Sequence, residues 1–312
     1  MITLAASIIT VMKLAARVAL PMLIIAPTVV LGLLTIAPRP TALTDAWQKV
    51  RLYESNDQGV RAIPYYEAIL TFQPQRFDIW ERIGSFNYDD GHLEQAVEAF
   101  QTAAANQSLT PRGYFDLGNA YYELGNQEAA SQAWMQILLL NPDLELISEL
   151  VATFRNAGMF DGALQAAQLW REVDPQSTQA AWSTGLFLSS RDPELAIQHL
   201  TAARDGDGPE AALARQLLEI VSLAVLRTEP AYQLAVIGQR LGELGQWDVA
   251  EDAFLRAVEI SPNYAEAWAL LGEARQNLGK DGWNDLLQAR TLDPDSEIVL
   301  SALVVYWKRQ KE

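Results

Sequence analysis

Residues 111–144 read PRGYFDLGNAYYELGNQEAASQAWMQILLLNPDL, and the fold follows from this stretch. In its first half Tyr114, Leu117, Gly118 and Tyr121 recur at three- and four-residue spacing, which gathers them on one face of a helix. Gly125 and Asn126 interrupt the pattern as a helix terminus and tight turn require. A second amphipathic run follows, with Ala130, Trp134 and Ile137 as its buried stripe, and Pro142, which lacks an N–H, ends it. The spacing predicts a helical hairpin of 34 residues in which large side chains face small ones.

The same pattern recurs at that period. One step toward the N-terminus it gives Trp80, Ile83, Gly84, Ala96, Phe100 and Ala103, with Ser108 in the place of the proline. A further step gives a degenerate copy with Tyr53, Ala62, Tyr66 and Pro74. Beyond the quoted stretch, Leu234, Ile237, Gly238, Leu241, Ala250, Phe254, Ala257 and Pro262 form a full copy, and Trp268, Leu271 and Gly272 open another. The order W-x-x-L-G-x-x-Y, then A-x-x-x-F, then A and P resembles the tetratricopeptide repeat, with Tyr114 standing for the Trp and Trp134 for the Phe. The resemblance implies an all-α, right-handed superhelical array of antiparallel hairpins.

The expected organisation has five parts. Residues 1–42 form a membrane segment and spacer, 43–204 an N-terminal block of repeats, 205–230 an inserted loop and extra helix, 231–294 a C-terminal pair, and 295–312 a capping helix. Period counting locates the insertion: 53 residues separate Thr178 from the next clear repeat at Ala231, and PEAALARQLLEIVSLAVLR between them is one apolar helix. The first segment holds 21 residues without a charge, Val18 to Pro38, which at 1.5 Å per residue reach roughly 31 Å, about the hydrocarbon thickness of a bilayer. Lys13 and Arg17 precede it, so the positive-inside tendency leaves the N-terminus in the cytoplasm and the repeats across the membrane, as a single-pass protein with an extracytoplasmic array. A cleaved signal peptide ending at Thr35-Ile36-Ala37 is the alternative, with Pro38 a poor residue after the cut, and translation from Met12 is a second possible start.

Composition narrows the function. The chain has 312 residues and no cysteine, which excludes disulfides and thiolate metal sites. Its formal charge is −16, and since residues 1–42 carry three cations and no acid, the remainder carries −19. Such a body repels nucleic acid and favours a basic or neutral protein partner. His92 and His199 are the two histidines, and both read as surface residues. No catalytic or phosphate-binding motif is present, so no enzyme, cofactor or metal is expected. Asp205-Gly206-Asp207-Gly208 lacks the ligand spacing of a calcium loop and reads as a linker.

In the tetratricopeptide family the first helices of successive hairpins line a groove, with contacts near motif positions two, five, nine, twelve and thirteen. The resemblance therefore names Glu81, Ser85 and Tyr88 in one copy, and Arg112, Phe115, Asn119, Tyr122 and Glu123 in the next, as partner-binding candidates. Asp78 and Asp89 fill the remaining places of the first set. A clamp for acidic C-terminal tails would need Lys or Arg where Glu81, Ser85, Glu149 and Thr153 stand. The reading is a membrane-anchored scaffold that binds a protein or peptide. A carbohydrate or cell-wall binding accessory using exposed aromatics is the alternative.

Overall fold

The computed structural model describes residues 41–309, and every regular element among them is an α-helix. The sixteen helices are α1 (Thr41–Ser55), α2 (Gly59–Phe72), α3 (Asp78–Asp89), α4 (Leu93–Ala105), α5 (Pro111–Glu123), α6 (Gln127–Ile137), α7 (Leu144–Asn156), α8 (Phe160–Val173), α9 (Thr178–Leu188), α10 (Pro193–Arg204), α11 (Pro209–Ala224), α12 (Pro230–Glu243), α13 (Trp247–Ile260), α14 (Ala265–Asn277), α15 (Trp283–Leu292) and α16 (Glu297–Arg309). The expected transmembrane run at residues 18–38 lies outside the described residues. Among those described, no helix is long and apolar enough to cross a membrane.

Seven hairpins form: α1/α2, α3/α4, α5/α6, α7/α8, α9/α10, α12/α13 and α14/α15. Five of their turns close on a glycine, Gly91, Gly125, Gly158, Gly245 and Gly279, with φ between 71° and 79°. At Gly125 the N–H of Asn126 donates to the carbonyl of Tyr121 and that of Gly125 to Tyr122, both at 2.9 Å, so the last carbonyls of α5 find donors. A side chain would strain this left-handed backbone. The next helix starts under a cap: Asn126 Oδ1 accepts from Ala129 N at 3.1 Å.

The paired helices approach closely because a glycine on one faces a ring on the other. Gly84 meets Phe100, Gly118 meets Trp134 and Gly238 meets Phe254, each sixteen residues on, and a Cβ at these glycines would lie 2.6, 2.2 and 2.6 Å from the ring. The fourth hairpin keeps the complementarity with the partners exchanged. Phe154 stands on its first helix and Gly162 on its second, 2.5 Å from the ring by the same construction. Burial of these rings and of the alanines around them holds neighbouring hairpins together, and one apolar cluster runs from Phe115 to Ala274.

Between the fifth and sixth hairpins α11 interrupts the alternation. It buries Ala211, Ala214, Leu217, Leu218, Val221 and Ala224 against α9, α10 and α12. Hairpins in a linear stack touch only their neighbours, yet here the turn of the fourth meets the sixth. Arg155 Nε donates to Asp248 Oδ2 at 2.5 Å, and Nη2 donates to Asp248 Oδ1 at 2.7 Å and to Gln246 Oε1 at 2.8 Å, across 91 to 93 residues of sequence. Arg191 bridges Asp161 at 2.6 Å and Asp252 at 2.7 Å, and Ser190 Oγ donates to Asp252 at 2.7 Å. The chain turns back on itself at the inserted helix, and a charged clasp holds the turn. The last helix, α16, packs Val299, Ala302 and Leu303 onto α14 and α15.

Candidate functional site

Side chains from α3, α5 and α7 meet along one groove. Tyr88 Oη donates to Glu123 Oε1 at 2.8 Å, and Arg112 reaches Glu149 at 2.7 Å and Asp116 at 3.4 Å. A cavity of about 190 Å³ opens between them, lined by Tyr88, Asn119, Tyr122, Glu123, Trp134, Thr153, Asn156 and Ala157. Its floor is fixed, because the buried Trp134 indole donates to Asn119 Oδ1 at 3.2 Å and to the Phe115 carbonyl at 3.3 Å. Its rim is open: Tyr122 is 39% exposed and tilts against Trp134 at a ring separation of 5.7 Å.

The candidates named from sequence divide three ways. Tyr88, Asn119, Tyr122 and Glu123 line the cavity itself. Arg112 stands exposed beside them and Ser85 is half-buried on α3. Two have other work. Glu81 accepts from Thr110 N at 2.9 Å and from the Thr110 hydroxyl, which ties the start of α5 to α3. Phe115 corrects the expectation of a groove contact: its ring is 3% exposed within the apolar core, with Arg112 lying over it at 4.9 Å, so no ligand reaches it. The ring belongs to the apolar cluster that also holds Ala130, Trp134 and Ile137 of its own hairpin.

The groove also contains residues that the motif positions omit, Asp116 and Asn156. The four-residue spacing from Arg112 was the available signal for Asp116. Burial pushes the Asp116 carboxyl up to about 6, against the pull of Arg112 and with Asp89, Glu149 and Glu81 adding to the rise. Burial and the bond to Glu123 together raise the Tyr88 phenol, which therefore stays a donor at neutral pH. The electrostatic character is acidic: Asp116 and Glu149 share the Arg112 guanidinium, Asp89 and Glu81 lie near enough to raise Asp116, and Glu123 takes the Tyr88 hydroxyl.

Asp116 yields a test of that character. A folded value above the unfolded one means that the ionised carboxylate destabilises the fold, and the penalty is relieved as pH falls through about 6. Asp116→Asn should therefore stabilise the protein by about 1 kcal/mol at pH 7.5, a discounted fraction of the full shift because the group keeps some water and Arg112 loses a partner. The gain should fall to about half at pH 5 and vanish only below about pH 4, where the unfolded carboxyl is protonated as well. Urea midpoints of the two proteins across these pH values check it.

A second concavity of about 820 Å³ lies between the fourth hairpin and the C-terminal ones, lined by Arg155, Phe160, Asp248, Glu251, Asp252 and Lys280 among others. Its charged groups are already paired with one another, Arg155 with Asp248 and Lys280 with Glu251. The α3–α5–α7 groove holds more acids than its one arginine can neutralise, and it carries an open aromatic, Tyr122.

Residues 87–143 and 236–280 match the tetratricopeptide repeat family. Among curated proteins, the general transcriptional corepressor ssn6 of Schizosaccharomyces pombe is 26% identical over 113 residues, covering 36% of this chain and 10% of that protein. The chain thus spans about a tenth of the length of this relative. Among solved structures, a tetratricopeptide repeat protein from Parabacteroides merdae covers 85% of this chain and 98% of its own, at 14% identity and a TM-score of 0.42. YrrB, a tetratricopeptide repeat protein with an unusual peptide-binding site, covers 76% of this chain and 96% of its own, at 14% identity and a TM-score of 0.33.

Proposed function

With the tetratricopeptide repeats of this chain as the premise, we propose that it is a non-enzymatic interaction scaffold that takes a basic, extended segment of a partner protein into the α3–α5–α7 groove. The observation that carries the reading is the excess of acids beside the small cavity: Glu123 lines it, and Asp116, Asp89, Glu81 and Glu149 cluster around the single cation Arg112 next to it. A lysine or arginine of the partner would lay its stem against Tyr122 and direct its charge toward Glu123 and Asp116, while Tyr88 holds Glu123 in place. The backbone of an extended segment would find the amides of Asn119 and Asn156 at the same depth. Long-range attraction by the negative body would speed its arrival.

The second element of the proposal is a tether. The uncharged run from Val18 to Pro38, preceded by Lys13 and Arg17, holds the array at a membrane with the N-terminus in the cytoplasm and the groove on the other side. Protease added outside wall-stripped cells should then degrade the repeats, and protection of the repeats would overturn the orientation.

The groove is tested by fluorescence anisotropy with a labelled lysine- and arginine-rich nonapeptide and its aspartate- and glutamate-rich counterpart. The basic peptide should bind and the acidic one should not. Glu123→Lys and Tyr122→Ala should each weaken binding about tenfold, with affinity falling between pH 7 and pH 5 as Asp116 takes up its proton. Equal binding of both peptides, or indifference to Glu123→Lys, would sink the assignment.

A further inference from the structure

The terminal helix α16 uses one face to close the stack and leaves another apolar. Leu300, Val304 and Trp307 follow one another at four- and three-residue spacing and are 46%, 52% and 53% exposed. Trp307 does not project loosely. Its ring packs edge-on against Trp283 at 5.3 Å and Tyr306 at 5.6 Å, so a large apolar surface is held in a set orientation. A contiguous stripe of this kind at the end of a solenoid marks a contact surface.

The charges beside the stripe identify what covers it. Glu297 lies in the first turn of α16 and Lys308 in the last. At 100° per residue both fall within about 20° of each other on the same flank of the stripe. When two such helices pair antiparallel across a two-fold axis at Val304, like flanks face each other: Leu300 of one copy lies within about 1.5 Å along the axis of Trp307 of the other, and Glu297 within about 4.5 Å of Lys308, a gap their side chains can span. A parallel pairing would instead bring the same ends together and leave both charge pairs unmatched. The surface is thus complementary to itself in one orientation only. The helix carries two cations and one acid, so the net negative charge of the body is not concentrated where the copies meet.

We propose that α16 is the contact between two copies of this chain, paired antiparallel about Val304 to give an isologous dimer. The two arrays then extend from opposite sides of a shared terminal pair, and their grooves act as two linked binding sites.

The absence of cysteine makes the test direct. Val304→Cys introduced into the full-length chain places a single thiol at the two-fold axis, and copper-phenanthroline oxidation should convert it to a disulfide-linked dimer. Gln127→Cys, exposed at the start of α6, should remain monomeric under the same treatment. Glu297→Lys and Lys308→Glu should each weaken dimerisation about tenfold in sedimentation equilibrium, and the double variant Glu297→Lys/Lys308→Glu should restore it. The exchanged positions are exposed, and an unchanged helical circular dichroism signal shows that each variant is folded. Absence of the Val304→Cys crosslink overturns the proposal. So does failure of the double variant to recover, which is the result expected if another protein, or residues 1–40 of the same chain, cover the stripe.

Discussion

Trp134→Ala is expected to lower the unfolding free energy by about 4 kcal/mol, near the upper end for a buried aromatic. The side chain is 1% exposed, and its edge meets Phe154 of the next hairpin at a ring separation of 5.4 Å. Truncation would open a cavity that the surroundings cannot refill. On one side stands Gly118, which has no side chain to move inward, and the backbone there already lies close enough that an added Cβ would be 2.2 Å from the indole. On another side the Asn119 amide and the Phe115 carbonyl lose their donor. The same geometry fixes the sign of a double-mutant cycle. Gly118→Ala alone should destabilise by about 2 kcal/mol, since the fully packed indole has nowhere to go. In the Trp134→Ala background the same methyl enters empty space and should recover part of the loss. Because Trp134 links the third hairpin to the fourth, the single variant should also split urea unfolding into two transitions, as hairpins one to three uncouple from the rest. Additive effects of the two substitutions would refute this account of the packing.

The Gly118–Trp134 pair is also the clearest case of structure legible from sequence. A glycine and an aromatic sixteen residues apart, repeated at Gly84–Phe100 and Gly238–Phe254, can be read without coordinates because the contact lies within one hairpin. What the repeat positions do not specify could not be read in this way. Phe115 stands at a position where the repeat family contacts its partners, but here its ring is buried in the apolar core. Glu81 has the composition of a ligand contact, but its partner is a backbone amide 29 residues away. The fifth hairpin looks divergent for a related reason. In α9 the buried set includes Ala180, Ala181, Trp182, Thr184, Gly185, Leu186, Phe187 and Leu188, with no polar face, because α11 covers the side that other first helices leave open. A helix buried all round shows no amphipathic period. The Arg155–Asp248 clasp joins residues 93 positions apart through a bend that no local pattern encodes. Within the groove, Tyr88, Asn119, Tyr122 and Glu123 follow from helix spacing, whereas the raised carboxyl of Asp116 follows from burial between helices of different hairpins.

Arg275→Met should cost about 3–5 kcal/mol at pH 7.5, the range for leaving one side of a buried ion pair without its partner. Arg275 stands on α14 and ties its own hairpin partner, α15, to α13 of the preceding hairpin. Its Nη1 donates to both oxygens of Asp285 on α15 at 2.7 Å, and its Nε donates to Glu251 on α13 at 3.2 Å. Asp285 is 4% exposed and Glu251 is 9% exposed, so neither can turn to water when the guanidinium is removed. Lys280 remains on Glu251, but the Asp285 carboxylate loses the cation that its burial demands. Burial already raises Asp285 above its ordinary value while Arg275 pulls it down. Without Arg275 the rise must be larger. The sign follows: a carboxyl whose folded value exceeds the unfolded one is destabilising while ionised, and that penalty fades as pH drops through the folded value. The variant should therefore regain stability relative to wild type on going from pH 7.5 to pH 5, the reverse of ordinary acid denaturation. Replacing the acids as well, in Arg275→Met/Asp285→Leu/Glu251→Leu, should bring stability back to within about 1–2 kcal/mol of wild type, because packed apolar groups can substitute for a buried ionic set. Paired urea titrations at the two pH values decide it. A loss that is the same at both would mean that Arg275 matters for its packing against the α14–α15 hairpin rather than for the charge it neutralises.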